Sequence, residues 1–137
     1  GKKVVIMGGG LVGAEGAIGF EHEGKECTIV EMKSSIAEEV NSFYRGGLMP
    51  EVERSAKCLV NTKVVEITNE GVICQNEKEK FLVEADSVVC ALGFKSPYAK
   101  VDELADIVDE SYIIGDCNKV GKIYEAISGA YYTALRI

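Results

Sequence analysis

The run "VVIMGGGLVGAEGAIGF", residues 4–20, decides how this chain is read. A β-branched apolar stretch meets Gly8-Gly9-Gly10, then Gly13, and passes into small residues at helical spacing. The apolar stretch, bounded by glycine, predicts a buried strand over Lys3–Met7. A helix is expected from Leu11 to Glu23, with Ala14, Ala17 and Ile18 on one face and Gly24 as its C-terminal cap. Gly13, Gly16 and Gly19 weaken a helix. Their presence implies a place where helix and sheet backbones approach closely. Three readings compete for so much backbone freedom at a strand-to-helix junction: a plain turn, a flavin pyrophosphate site, or a nicotinamide dinucleotide site.

Working outward, a second strand is expected over Glu26–Glu31. Gly8-x-Gly10-x-x-Gly13 is a weak signal alone, but here it leaves a strand, opens a helix and precedes an acidic residue at the end of the next strand. The glycines divide the work: Gly8 allows the tight turn, Gly10 the close approach of a pyrophosphate, and Gly13 the packing of helix against strand. The helix N-terminus offers unpaired N–H groups and the positive end of its dipole. An acidic chain can therefore hold an anionic cofactor without a basic patch. Glu31 lies eighteen residues beyond Gly13. A carboxylate there accepts from the adenosine ribose hydroxyls and repels a 2′-phosphate, favouring NAD(H) over NADP(H). Lys33 is a counter-signal.

Beyond it, Ser34–Lys57 reads as helical, broken in two by Gly46-Gly47 and Pro50. Cys58–Val60 is a short third strand. Lys63–Thr68, Val72–Gln75 and Phe81–Glu84 form a three-stranded antiparallel meander with turns "TNEG" and "NEKEK". Asp86–Leu92 is another buried strand. A loop with Pro97, a short helix near Asp102–Ala105 and a last short strand in "SYIIGD" follow. Gly121–Ile137 is an amphipathic helix with Ile123, Ala126, Ile127, Ala130, Tyr131 and Ala134 on one face. Alternating strand and helix at the start imply an α/β fold with a parallel sheet and right-handed crossovers.

The totals narrow the function. The chain has 137 residues, 47% hydrophobic and 27% charged, with a net charge of −7. Lys alternates with Glu instead of forming a basic stripe, so no nucleic-acid groove is expected. The apolar runs are too short for a bilayer, and no membrane partner is expected. The five cysteines contain no CxxC pair, and the single His22 removes a Cys/His zinc arrangement, so no metal site is expected. They read as buried reduced thiols of a cytoplasmic protein. Because Gly1-Lys2-Lys3 leads straight into a core strand, the chain is expected to be cut from a longer polypeptide at a domain seam.

"KVVIMGGGLVGAE", "TIVE", the meander, "ADSVVCALGF" and "YIIGDCNKVGKIYEAISGAYYTALRI" occur in that order. Together, across essentially the whole chain, they resemble the pyridine-nucleotide-binding region of the two-dinucleotide-domain flavoprotein reductases. The nearest resemblance is to the 2-enoate reductase, bile-acid-inducible oxidoreductase and 2,4-dienoyl-CoA reductase group. The resemblance implies a Rossmann-like three-layer FAD/NAD(P)-binding fold. Residues 1–95 would be the NAD-binding domain, and residues 96–137 a return segment joining an FAD-binding domain of the same polypeptide. FMN and a 4Fe-4S cluster would lie elsewhere in that polypeptide.

The FAD fingerprint of these reductases continues with Pro-Ala-Gly, the NAD(P) fingerprint as G-G-G-x-x-G-x-E. Leu11, Val12, Gly13, Ala14 and Glu15 follow the second form. The resemblance therefore implies a cofactor-binding set of Gly8, Gly10, Leu11, Val12, Gly13, Glu15, Glu31 and Gly93, with Gly115 and Asp116 directed to FAD. Glu15 would sit near the nicotinamide end or serve as an N-terminal helix carboxylate. Asp116 would meet the flavin's ribityl–phosphate region or act as a helix N-cap or turn residue. No residue here is expected to be catalytic. NADH would pass hydride to FAD, and the electrons would reduce an activated carbon–carbon double bond. Two alternatives stay open: a stand-alone NAD-binding regulatory module, or a domain inactive when excised. Without the FAD domain, the last strand and helix would expose an apolar face. They would then fold onto the parallel sheet's edge or pair with another copy as a homo-oligomer.

Overall fold

The computed structural model describes residues 1–105 and 107–137. They form two compact units, Gly1–Gly93 and Phe94–Ile137. In the first unit the chain runs through β1 (Lys3–Met7), α1 (Leu11–His22), β2 (Glu26–Val30), α2 (Ser42–Ser55) and β3 (Ala56–Leu59). It continues with β4 (Lys63–Thr68), β5 (Gly71–Gln75), β6 (Lys80–Glu84) and β7 (Ser87–Cys90). Among the described residues one sheet is parallel, in the order β3-β2-β1-β7, and a separate sheet is antiparallel, in the order β4-β5-β6.

Alternation along β1 explains the layers. Val4 and Ile6 point into one core with Ala14 and Ala17 of α1, Ile29 of β2, and Leu48 and Val52 of α2. Val5 and Met7 point the other way, into a core with Val30 and with Val72 and Cys74 of β5. A strand apolar at nearly every position is the composition that burial on both faces requires. Helices, parallel sheet and meander make the three layers of a Rossmann-like FAD/NAD-binding fold, as the sequence implied.

β1 is one of the two inner strands of the parallel sheet, with β2 the other. Lys3–Met7 pairs with Glu26–Val30 on one side, and Val4–Met7 with Ser87–Cys90 on the other. At its start the Lys2 and Lys3 backbone N–H groups both donate to Asp86 Oδ2, each at 2.8 Å. The Asp86 N–H also donates to the Lys3 carbonyl at 2.9 Å, and the regular strand β7 begins one residue later and ends two residues earlier than expected.

The crossover after β2 departs from the expected helix. Residues 34–40 are turns, and α2 starts only at Ser42, where Asn41 Oδ1 accepts from the Tyr44 N–H at 2.9 Å. Ala37 lies in the left-handed region at φ 52°, and its N–H donates to the Gly9 carbonyl at 2.7 Å. Ile36 and Ala37 are buried. The stretch packs onto the glycine loop and gives up its own helical bonds. From Ser42 onward α2 is unbroken through Gly46-Gly47 and Pro50. The carbonyl that Pro50 leaves without a helical donor belongs to Gly46, which is exposed and can turn to water.

In the second unit, α3 (Tyr98–Ala105), a 3₁₀ turn (Gly115–Cys117) and α4 (Ile123–Ala134) follow. The strand expected in "SYIIGD" does not form: residues 111–114 pair with no strand among the described residues, so the parallel sheet ends at β7. That corrects the expectation of a last short strand in this segment. α4 leaves Ile123, Ile127 and Tyr131 largely uncovered, the exposed apolar face that the sequence led us to expect.

Candidate functional site

The C-terminal ends of β1, β2 and β7 open beside the glycine loop. Gly8 takes φ +102°, and a Cβ there would fall well inside contact distance of the Ala91 carbonyl just past β7. At Gly13 a Cβ would collide with the Gly8 carbonyl and press on Ile6 Cγ2. The loop thus has two tight seams, to the neighbouring strand and to its own helix. Gly10 differs: a Cβ there would lie 3.0 Å from Glu39 Oε1 and against no backbone. Its missing side chain leaves room for an anion.

α1 begins at Leu11 without a side-chain cap from Gly10. The Leu11 N–H, one of the donors that a helix start leaves unpaired, donates instead to Glu39 Oε1 at 2.9 Å. Val12 is exposed and Gly13 buried, as their places on the first turn dictate. Glu15, one turn on, accepts from the Tyr44 hydroxyl of α2 at 2.8 Å. That bond and the Glu15 charge push the Tyr44 phenol above its ordinary value.

Glu31 follows β2 and turns toward the glycine loop. Its Oε2 accepts from the Gly9 N–H at 2.6 Å and its Oε1 from the Lys33 N–H at 2.8 Å. The carboxylate is half-buried, and each oxygen has capacity for a further donor. Lys33 Nζ reaches Glu38, 3.3 Å away. Gly93 lies past β7 at φ +82°, with open space where a Cβ would stand. The structure thus brings Gly8, Gly10, Leu11, Val12, Gly13, Glu15 and Glu31 to one end of the sheet.

In the second unit Gly115 opens the 3₁₀ turn at φ +63°. Asp116 Oδ1 accepts from the Gly121 N–H at 3.2 Å, closing the loop before α4. The cap of α4 is another residue: Glu125 Oε2 accepts from the Lys122 N–H at 2.8 Å. Of the cysteines, Cys27 and Cys74 are buried and Cys58 is half-buried, and burial pushes these three thiols up. Cys90 is exposed, which corrects the expectation of a buried thiol in β7, and Cys117 is an exposed thiol of the 3₁₀ turn. Among the described residues no group of three or more His, Cys, Asp or Glu side chains could hold a metal ion.

Residues 1–132 match the family model of the pyridine nucleotide-disulphide oxidoreductases. The chain belongs to that family. The family implies NAD(P) and FAD as cofactors. It is 34% identical over 145 residues to a cinnamate reductase of Clostridium sporogenes, covering 100% of this chain and 21% of the relative. It is 35% identical over 142 residues to an NADH oxidase of Thermoanaerobacter brockii, covering 99% of this chain and 21% of that protein. Among solved structures, a 2-naphthoyl-CoA reductase bound to 2-naphthoyl-CoA superposes with a TM-score of 0.84 at 33% identity, over 100% of this chain and 21% of that one. The resemblance to enoate-reductase-like flavoproteins holds. The chain spans about a fifth of the length of these relatives. Among the described residues no helix is long and apolar enough to cross a membrane.

Sequence reasoning missed Glu39 and Tyr44. Both lie on the far side of the crossover, and the only local hint was the acid pair Glu38-Glu39 after a buried Ile36-Ala37.

Proposed function

We propose that this family member is the NAD(H)-binding segment of a multidomain flavoprotein reductase that reduces an activated carbon–carbon double bond of the 2-enoate or enoyl-CoA type. The observation that carries the reading is the pairing of Glu31 with the Gly9 N–H across the glycine junction. It aims a carboxylate at the rim of a loop whose Gly10 leaves room for a diphosphate. Names of relatives that include a cinnamate reductase and an NADH oxidase support the substrate and coenzyme.

In this reading the backbone around Gly8–Gly13 holds the diphosphate, with the Leu11 N–H and the α1 dipole supplying the positive end. The free lone pairs of Glu31 accept from the adenosine ribose, and the charge of Glu31 disfavours a 2′-phosphate. Val12 and Gly93 border the path of the dinucleotide past β7, and Glu15 stands one helical turn toward its nicotinamide end. Gly115 and Asp116 belong to the return segment, residues 96–137, which would join the FAD-binding domain of the same polypeptide. The bound dinucleotide supplies the hydride, while the chain binds and orients it. FMN and a 4Fe-4S cluster are assigned to the remainder of the polypeptide, and the compartment to the cytoplasm.

The test is calorimetric titration with NADH and NADPH. NADH should bind more tightly, and Glu31→Ala should weaken NADH by about 1–3 kcal/mol, the range for a lost charged hydrogen-bonding group. Equal affinity for the two coenzymes, with no effect of the substitution, would remove Glu31 from the site.

A further inference from the structure

Residues 32–41 lie on the glycine loop as a strap. Four of the hydrogen bonds that tie it down run from Ala37 N–H to the Gly9 carbonyl, Lys33 N–H to Glu31 Oε1, Arg45 Nε–H to the Ile36 carbonyl at 3.0 Å, and Leu11 N–H to Glu39 Oε1. The first three hold the strap near its neighbours without touching the helix start. The fourth puts a carboxylate on a helix N-terminal donor, in the space that Gly10 leaves by lacking a Cβ.

We infer that Glu39 is an internal competitor for the diphosphate, a latch that a dinucleotide must displace before it can occupy the cradle. The inference rests on the dinucleotide reading and adds a regulation to the same site. A carboxylate and a phosphate oxygen seek the same N–H and the same dipole end. Two anions cannot share that donor, so the binding-competent state is the one with Glu39 swung out. Apparent affinity is then the intrinsic affinity scaled by the open fraction. Glu39 is exposed and follows Ala37, whose left-handed backbone ends the buried part of the strap. The side chain can therefore leave while Ile36 and Ala37 stay seated. Tyr44 and Glu15 then hold the start of α2 against α1 in either state.

Glu39→Gln keeps the shape and removes the charge, and Glu39→Ala removes the latch outright. Both should bind NADH about three- to tenfold more tightly than the wild-type chain, the size expected when one exposed charge-assisted bond no longer competes. A second readout needs no ligand: in ¹⁵N-labelled chain, both substitutions should move the Leu11 amide resonance. Wild-type binding of NADH with no gain in either variant overturns the latch and leaves the dinucleotide site standing. An unmoved Leu11 amide also overturns the latch, whatever the affinities. Failure of wild type and both variants to bind NADH refutes the dinucleotide reading and the latch together.

Discussion

Two glycines of α1 provide a test with opposite signs on one helix. At Gly13 an added Cβ meets the Gly8 carbonyl and Ile6 Cγ2, while at Gly16 nothing lies within 4 Å. Replacing glycine by alanine in a helix gains about 1 kcal/mol of propensity at either place. At Gly13 that gain is set against overpacking, which costs about 1–3 kcal/mol and here sits at the high end, because a backbone carbonyl has no rotamer to escape into. The net expectation is a loss of about 2 kcal/mol for Gly13→Ala and a gain of about 1 kcal/mol for Gly16→Ala. The variants should therefore differ by about 3 kcal/mol, or roughly two decades in the folding constant. Urea unfolding followed by circular dichroism measures this directly, with the urea dependence required to match among the proteins. A Gly13→Ala protein as stable as wild type would refute the close approach of α1 to the β1 exit. The geometry of the glycine cradle would fall with it.

Two further outcomes concern titration. Asp86 is held below its ordinary 3.8 by the backbone N–H groups of Lys3 and Lys2. A depressed folded-state value means that its contribution to stability is full above the unfolded aspartate value of about 3.9 and is lost as pH falls through the folded-state value. Asp86→Asn should flatten that part of the acid unfolding curve, and an unchanged acid limb would show that the two bonds carry no weight. Tyr44 ionises above its ordinary 10.0 because it donates to the Glu15 carboxylate. In ultraviolet titration Glu15→Gln should bring one tyrosine back toward that value, and no change would place the hydroxyl elsewhere.

Much of the first unit was legible because its determinants are local. The β-branched run, the glycines and Glu31 each carry their structural reason within a few neighbours, and β1, α1 and β2 lie where spacing put them. The meander was equally readable, since alternation and turn chemistry are short-range signals. The crossover was not. Its apolar spacing suits a helix, but Ile36 and Ala37 gain more by packing on the glycine loop, a partner nearly thirty residues away. Pro50 misled in the opposite direction, because its cost falls on an exposed carbonyl that water can satisfy. Residues 111–114 have strand composition, yet composition does not supply a neighbouring strand to pair with. At the candidate site the same divide holds: Gly8, Gly13 and Glu31 announce themselves, whereas Glu39 and Tyr44 matter only through what folding brings opposite them.

The setting of β1 has a mechanical consequence. Ladders on both edges and apolar layers on both faces make it an anvil, and Gly8 sits at its lip with no slack to move. On the proposed reading, a rearrangement that admits or releases a cofactor would fall to the segment lying across that lip. Under the latch proposed above, traffic through the site would be governed from residues 32–41, with the sheet serving as the fixed abutment.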